Sequence, residues 1–317
     1  MLNKYFIILN EYAGSGRVKV TWQDIKEILD SKKINYVVYS TQYPQHATEL
    51  AREIITALPE KLNFRPIILA IGGDGTLHEV LNGCVNYYRE NPNGVPVPLS
   101  YIPLGTGNDF ARGAGIPNKW LTALTNILNC KSEKLITIGS YTNHFDNSTG
   151  YFLNNFGIGF DASIVKVTNH SKVKSNKRTN KFSYILNTLK VFKQFKSFEI
   201  DISVDNHTHH FNNAYLATIS NHPYFGGGVK ILPPASITDN NLDMIIIEKP
   251  KFWQLIYLLL TIPFGKHLNA KFVNHFHSSK VNVKTKLPQT IQIDGEDQSN
   301  QSLNLTFTTT HYPFWIE

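Results

Sequence analysis

An aspartate set among glycines carries the chemistry most open to reading in this 317-residue chain. Gly72-Gly73-Asp74-Gly75-Thr76 follows an apolar run at 67–71 and precedes Leu77-His78-Glu79-Val80-Leu81-Asn82. A strand that ends in a glycine turn and feeds a helix exposes backbone N–H groups that attract phosphate. The glycines admit close approach of a nucleotide, and Asp74 adds a carboxylate that calls for Mg²⁺ or a transferable proton. On two glycines alone a tight strand-to-helix connection is the simpler reading. Asp74, Thr76, Glu79 and Asn82 move it towards nucleotide chemistry, and so do two further loops. Pro103-Leu104-Gly105-Thr106-Gly107-Asn108-Asp109-Phe110-Ala111-Arg112 follows a short apolar run at 99–102, and Asn10-Glu11-Tyr12-Ala13-Gly14-Ser15-Gly16 follows another at 5–9. None of the three is a Walker A sequence or a complete dinucleotide fingerprint.

The elements that must position these loops alternate. Residues 5–9, 36–41, 67–71 and 99–102 read as strands, and 22–29, 46–58, 77–85 and 120–128 as helices. Alternation of this kind predicts crossovers and a parallel sheet whose carboxyl edge forms a binding crevice. After residue 135 the pattern changes. Phe198, Ile200, Ile202 and Val204 alternate with Glu199, Asp201, Ser203 and Asp205, a period-two strand ending at an Asp205-Asn206 turn. Short strands at 215–219, 244–247, 281–283 and 290–293 follow, which predicts a second, mainly antiparallel β domain. His207, His209 and His210, and the pair His275 and His277, lack a third metal ligand at a helpful spacing and read as exposed turn and strand residues.

Composition narrows the class. Hydrophobic residues make up 42% of the chain, enough for a normal core. Cys84 and Cys130 are too few for a disulfide framework, so a cytoplasmic, reducing location is expected. No signal-length apolar segment opens the sequence, and the apolar run 255–264 is far short of the ~20 residues that span a bilayer. Membrane contact is then peripheral. The net charge is +7, and no acidic residue lies between Asp161 and Glu199, where Lys166, Lys172, Lys174, Lys177, Arg178, Lys181, Lys190, Lys193 and Lys196 cluster. Aromatic and aliphatic residues from Phe182 to Phe195 recur there at helical spacing, which fits a helix docked on its own domain or one lying at an anionic lipid surface. Nucleic acid is not expected as a partner, and a homodimer contact stays open.

Taken together, the Gly72–Thr76 loop with Glu79 and Asn82, the loop from Pro103 to Arg112, and Ile293-Asp294-Gly295-Glu296 resemble the soluble bacterial diacylglycerol kinases and the wider lipid kinase family with sphingosine and ceramide kinases. NAD kinases and phosphofructokinases carry variants of the first element; the second loop and the Asp-Gly-Glu turn favour the lipid branch. The resemblance implies an N-terminal Rossmann-like α/β domain over 1–134, completed by 303–317, that holds ATP. It implies a C-terminal β-sandwich domain over 135–302 that covers the lipid, with the active site in the cleft between them. Asn10, Glu11, Tyr12, Ala13, Gly14, Thr41, Gly73, Asp74, Gly75, Thr76, Leu77, His78, Glu79 and Thr106 match the family's nucleotide positions. Glu296 matches its general base. Ser236, Asp239 and the backbone of Asn241 match a loop that binds a structural Mg²⁺. Three positions depart from the pattern: Glu11 replaces a common Pro, Asn240 a common Gly, and Thr137 an Asp that supports the magnesium network.

The activity so implied is transfer of the γ-phosphate of ATP to the hydroxyl of diacylglycerol. Asp74, helped by Asp109, would organise Mg²⁺ on the triphosphate, and Glu296 would accept the hydroxyl proton. On local sequence alone Asp294-Gly295-Glu296 reads as an ordinary hairpin turn. The alternatives are another lipid acceptor such as a sphingoid base or monoacylglycerol, an NAD kinase, and an inactive nucleotide-dependent membrane module. The absent NAD-kinase second motif and the retained Asp74 and Glu296 speak against the last two. The acid-free basic stretch is expected to face anionic lipid through Lys172, Lys174, Lys177, Arg178 and Lys181.

Overall fold

The computed structural model describes residues 2–160 and 195–317. The lysines and the arginine expected to face lipid, Lys172 to Lys181, lie outside the described residues. The chain forms two compact units, one from Met1–Ile138, Gly226–Gly228 and His311–Glu317, the other from Gly139–Phe225 and Val229–Thr310.

The first unit is a parallel sheet flanked by helices. β1 (Leu2–Leu9) pairs in parallel with β2 (Asn35–Ser40) and with β3 (Phe64–Gly72), and β3 pairs in parallel with β4 (Leu99–Pro103). The order β2-β1-β3-β4 reverses direction between β1 and β3, and ligands of open α/β sheets bind at the carboxyl edge of such a reversal. α1 (Arg17–Ser31), α2 (His46–Thr56), α3 (Asp74–Glu90) and α5 (Trp120–Asn129) follow the strands, with a single-turn α4 (Asp109–Gly113) before α5. α1 starts five residues before the sequence pattern places it, because Val18 joins Trp22, Ile25 and Leu29 on the buried stripe. Each such fully buried aliphatic side chain stabilises by roughly 1.5–3 kcal/mol. Trp315 closes this core: its indole Nε1 donates to the Ile127 carbonyl (3.0 Å), and Ser100 Oγ donates to the Trp315 carbonyl (2.8 Å).

The second unit is antiparallel. β7 (Asn155–Gly159), β9 (His207–Ser220), β8 (Phe198–Val204) and β14 (Lys280–Lys284) are consecutive neighbours, and β14 pairs with the start of β17 (Asn304–Phe314). β15 (Gln289–Ile293) pairs with β7 and, across a tight turn, with β16 (Glu296–Gln301). β12 (Leu242–Glu248) lies between β9 and β13 (Val273–Ser278), while β6 (Thr149–Phe152) pairs with the end of β5 (Lys134–Asn143) and β10 (Tyr224–Phe225) with β11 (Val229–Lys230). Phe152, Phe156, Ile202, Ile219, Met244 and Phe307 are buried at its centre. A smaller cluster around Leu232, Ile245 and Val273 seats α6 (Phe252–Thr261) through Leu258.

Candidate active site

In the first unit the three glycine loops meet. Asn10 follows β1 and donates from Nδ2 to Thr76 Oγ1 in the first turn of α3 (3.0 Å). Gly14 has a φ of +61°, and any side chain there would strike the Leu104 carbonyl. A Cβ on Gly105 would sit 2.6 Å from Gly73 Cα, so the second and first loops touch backbone to backbone. Only glycine permits that approach. Arg17, at the start of α1, ties the third loop to the second by donating from Nε to the Gly14 carbonyl (3.1 Å) and from Nη2 to the Gly105 carbonyl (3.4 Å).

Asp74 opens α3, and its Oδ2 accepts the N–H of Asp109 (3.1 Å). Gly107 leaves room beside that carboxylate: a Cβ there would lie 3.2 Å from Oδ2. Carboxylate oxygens are the ligands a hard cation prefers, so Asp74, at the loop end of α3, fits Mg²⁺ carried by a nucleotide. Asp109 is engaged through both carboxylate oxygens. Its Oδ1 pairs with Arg112 Nη1 (2.8 Å), its Oδ2 accepts the N–H of Gly227 (2.8 Å), and Arg112 also donates to the Gly107 carbonyl. These contacts hold the second loop and the segment Gly226–Gly228 in the first unit. Behind the loops, burial, followed by the carboxylates of Asp74 and Asp109, pushes the Tyr101 phenol well above its ordinary range. Arg17, Arg112 and Lys119 line a cavity of about 600 Å³ beside Gly105 and Thr106.

Several expected nucleotide residues also make contacts within the fold. The Glu79 carboxylate accepts the N–H groups of Gln45 (3.0 Å) and Ala47 (3.1 Å), which caps α2 from outside. Leu77 is buried in the core, Thr41 is buried with its N–H on the Leu9 carbonyl (2.9 Å), and the His78 carbonyl receives Asn82 Nδ2 (3.0 Å). Ala13 and Gly75 are half-buried, Thr106 and Tyr12 are exposed, and Glu11 Oε1 receives Ser40 Oγ (3.5 Å).

In the second unit Glu296 opens β16 and is half-buried. Asp294 and Gly295 have φ of +50° and +86°, the paired positive values of a type I′ hairpin turn. Asp294 is buried, and its carboxylate accepts three backbone N–H groups: Leu153 (2.8 Å), Asn154 (2.8 Å) and Asn155 (3.0 Å). The Gly295 N–H donates to Gln292 Oε1 (2.7 Å), and Gln292 in turn donates to Asn155 Oδ1. Around the cradle, His222 Nε2 donates to Asn154 Oδ1 (2.8 Å), its Nδ1 accepts the Tyr224 N–H (3.1 Å), and Ser220 Oγ donates to the Asn154 carbonyl (2.6 Å). Burial pushes the His222 imidazole down to about 4, opposed by the Asp294 carboxylate. Sequence reading missed this support. Its one local signal was the Asp-Gly pair between two strand patterns.

The loop before β12 is held by its own side chains. Asp239 Oδ1 accepts both the N–H (3.1 Å) and Nδ2 (3.0 Å) of Asn241, while Ser236 Oγ bonds Thr238 Oγ1 (2.9 Å). The other Asp239 oxygen faces His277 Nε2 (3.4 Å), and Asp243 Oδ1 lies 2.6 Å from His275 Nε2 and 3.3 Å from His277 Nδ1. So the two histidines do find carboxylates, through the register that sets Asp243 opposite His277. Among the described residues no three His, Cys, Asp or Glu side chains are grouped to hold a metal. As placed, Ser236, Asp239 and Asn241 fit a self-bonded turn facing an imidazole rather than a cation cage.

Comparison with known proteins agrees with this arrangement. Residues 4–139 match the diacylglycerol kinase catalytic domain, and 155–310 match the YegS C-terminal NAD kinase beta sandwich-like domain. The YtlR protein of Bacillus subtilis (strain 168), assigned by name to the lipid kinases, is 32% identical over 93% of this chain and 94% of its own. A diacylglycerol kinase of Staphylococcus aureus (strain JH9) is 30% identical over 92% and 85%. The crystal structure of a diacylglycerol kinase from Bacillus anthracis str. Sterne superposes with a TM-score of 0.69 at 18% identity, covering 99% of this chain and 97% of that one, which shows the shared fold. The chain belongs to the diacylglycerol kinase family and is a lipid kinase.

Proposed function

We propose that the protein transfers the γ-phosphate of ATP to the hydroxyl of diacylglycerol, giving phosphatidic acid. The reading rests on one observation above the others: Asn10, Gly14, Asp74, Thr76 and Gly105, far apart in sequence, converge at the carboxyl edge of a parallel sheet in a member of this family. In this reading the α/β unit holds ATP and the β unit receives the lipid. The acceptor oxygen forms its bond to the γ-phosphorus as the bridging O–P bond breaks and ADP leaves, so the chain must orient the partners in line and answer the phosphate charge. Backbone N–H groups at the start of α3 and the guanidinium groups of Arg17 and Arg112 supply positive potential. Asp74 would hold Mg²⁺, which when bound neutralises phosphate charge. Glu296 takes the hydroxyl proton, and its turn is built to keep it in one place. A diacylglycerol resides in a bilayer, so peripheral contact at the cytoplasmic face belongs to the proposal.

The test is to incubate the protein with γ-labelled ATP, Mg²⁺ and total bacterial lipid and to identify the product. Label in phosphatidic acid is expected. Label in a sphingoid or monoacylglycerol product moves the assignment to another lipid, and unlabelled lipid overturns it. Glu296→Gln should lower kcat by ~10²–10⁴-fold with nucleotide affinity near wild type. A rate within a few-fold of wild type excludes Glu296 as the base. Asp74→Asn should lose activity and regain part of it in excess Mg²⁺; an unchanged Mg²⁺ dependence and rate would make Asp74 structural.

A further inference from the structure

We propose that α6 is the surface by which this protein docks on a bilayer carrying anionic lipid; the inference rests on the lipid-kinase reading only in that its acceptor resides in such a bilayer. The helix reads Phe-Trp-Gln-Leu-Ile-Tyr-Leu-Leu-Leu-Thr, with one polar side chain besides its terminal threonine. A helix that is apolar all round belongs inside a core. This one does not lie inside one. Leu258 alone is buried, while Phe252 is 62%, Trp253 76%, Leu259 62% and Leu260 66% exposed, and Phe264 just beyond the helix is 76% exposed. At 100° per residue, Phe252, Trp253, Ile256, Tyr257, Leu259 and Leu260 fall within an arc of about 160°, and Leu258 points to the opposite side. The exposed apolar residues are thus one face, adjacent in space.

The charge around that face selects its occupant. From Lys249 to Ile293 the sequence contains no aspartate or glutamate. Lys249 and Lys251 stand immediately before the helix, Lys266 and Lys271 follow it, and all four are exposed. An exposed aromatic and aliphatic stripe, entered and left by exposed lysines, with the half-buried Glu248 as the nearest acid in sequence, has the composition of a helix lying in the headgroup layer of an anionic membrane. Length agrees: ten residues rise ~15 Å, half the hydrocarbon thickness, and no helix among the described residues is long and apolar enough to cross. Trp253 and Tyr257 are the side chains that prefer this interface. A protein partner that matched the face would have to bring its own acids to the flanking lysines, whereas an anionic bilayer supplies both chemistries at once.

The experiment uses the full chain and vesicles of phosphatidylcholine and phosphatidylglycerol, with brominated acyl chains in one series. Co-sedimentation that weakens as salt rises is expected, with quenching of tryptophan emission by the brominated lipid. Trp22 and Trp315 are buried and Trp120 is half-buried in the first unit, whereas Trp253 is 76% exposed, so Trp253→Phe should remove most of the quenching while binding persists. The double variant Leu259→Gln with Leu260→Gln should bind vesicles about tenfold more weakly or worse. Its circular dichroism melt should match wild type, because both side chains are exposed. Unchanged vesicle binding in the double variant, or quenching that survives Trp253→Phe, overturns the proposal. So does a wild type that ignores vesicles and dimerises through the same leucines in sedimentation equilibrium. A parallel assay with γ-labelled ATP and detergent-dispersed short-chain diacylglycerol separates the two readings. Turnover there with vesicle binding insensitive to the leucine substitutions sinks the docking surface alone. Vesicle binding that needs the leucines, without turnover on any lipid, sinks the kinase assignment alone.

Discussion

Two hairpin turns in the second unit share a backbone and a leading aspartate and differ in what surrounds them. Asp205-Asn206 joins β8 to β9 with φ of +50° and +66°, and Asp294-Gly295 joins β15 to β16 with φ of +50° and +86°. Both are type I′ turns that begin with aspartate, and a local reading treats them alike. At the first, Asp205 and Asn206 are exposed and the carboxylate receives one hydroxyl, from Ser278 Oγ (2.9 Å). At the second, the chain from Leu153 to Asn155 turns three N–H groups onto the buried carboxylate. The same short sequence pattern is a solvated corner in one place and the rigid mount of a half-buried glutamate in the other. Turn chemistry fixes the backbone, and the surrounding strands decide whether the side chains can hold a reacting group still.

The sharpest way to break the comparison is Asp294→Ala. Three buried N–H donors would lose their acceptor at ~1–3 kcal/mol each, so a loss of about 3 kcal/mol or more in stability is expected, read by urea denaturation. Asp294→Asn keeps one accepting oxygen and should cost less. It should lower kcat more than it changes the apparent affinity for ATP, since it moves Glu296 and leaves the first unit's loops in place. Equal effects on both parameters would mean that Asp294 serves the fold alone.

The imidazole behind the cradle gives a pH signature of slightly smaller size. His222 titrates near 4 in the folded chain against an ordinary value of 6.5, so between these values the unfolded state binds more protons. Stability therefore rises as pH goes from about 4 to 6.5 and is complete above, a contribution of about 3 kcal/mol from this group. His222→Gln, which keeps a donor for Asn154 Oδ1, should flatten that part of the melting-temperature profile. A profile as steep as wild type would place the pH dependence elsewhere.

Two milder substitutions complete the contrast. Glu79→Gln removes the charge that caps α2 and should cost about 1 kcal/mol while leaving nucleotide affinity unchanged in a fluorescent-nucleotide titration. A large loss of affinity would return Glu79 to the nucleotide. Asp205→Ala, at the exposed turn, should cost at most about 1 kcal/mol and leave kcat at the wild-type value. An effect as large as that of Asp294→Ala would erase the distinction between the turns.

The amino-acid sequence determined the periodic elements and the loop chemistry by itself. Alternating apolar runs and helical stripes marked β1 to β4 of the first unit, because burying an apolar face requires that periodicity wherever the element ends up. Glycines and aspartates marked the loops, because positive φ and close backbone approach leave few other choices. Which side chains share a site depended on contacts between residues far apart in sequence, and no local pattern encodes those. The tertiary structure alone set Gly105 against Gly73, laid the Glu79 carboxylate on the start of α2, and brought Asp243 to His275. It also decided that the apolar run at 252–261 would be a helix with Leu258 as its one fully buried side chain and its other face exposed. Hydrophobicity says that such a run seeks an apolar neighbour; only packing says whether its own chain provides one.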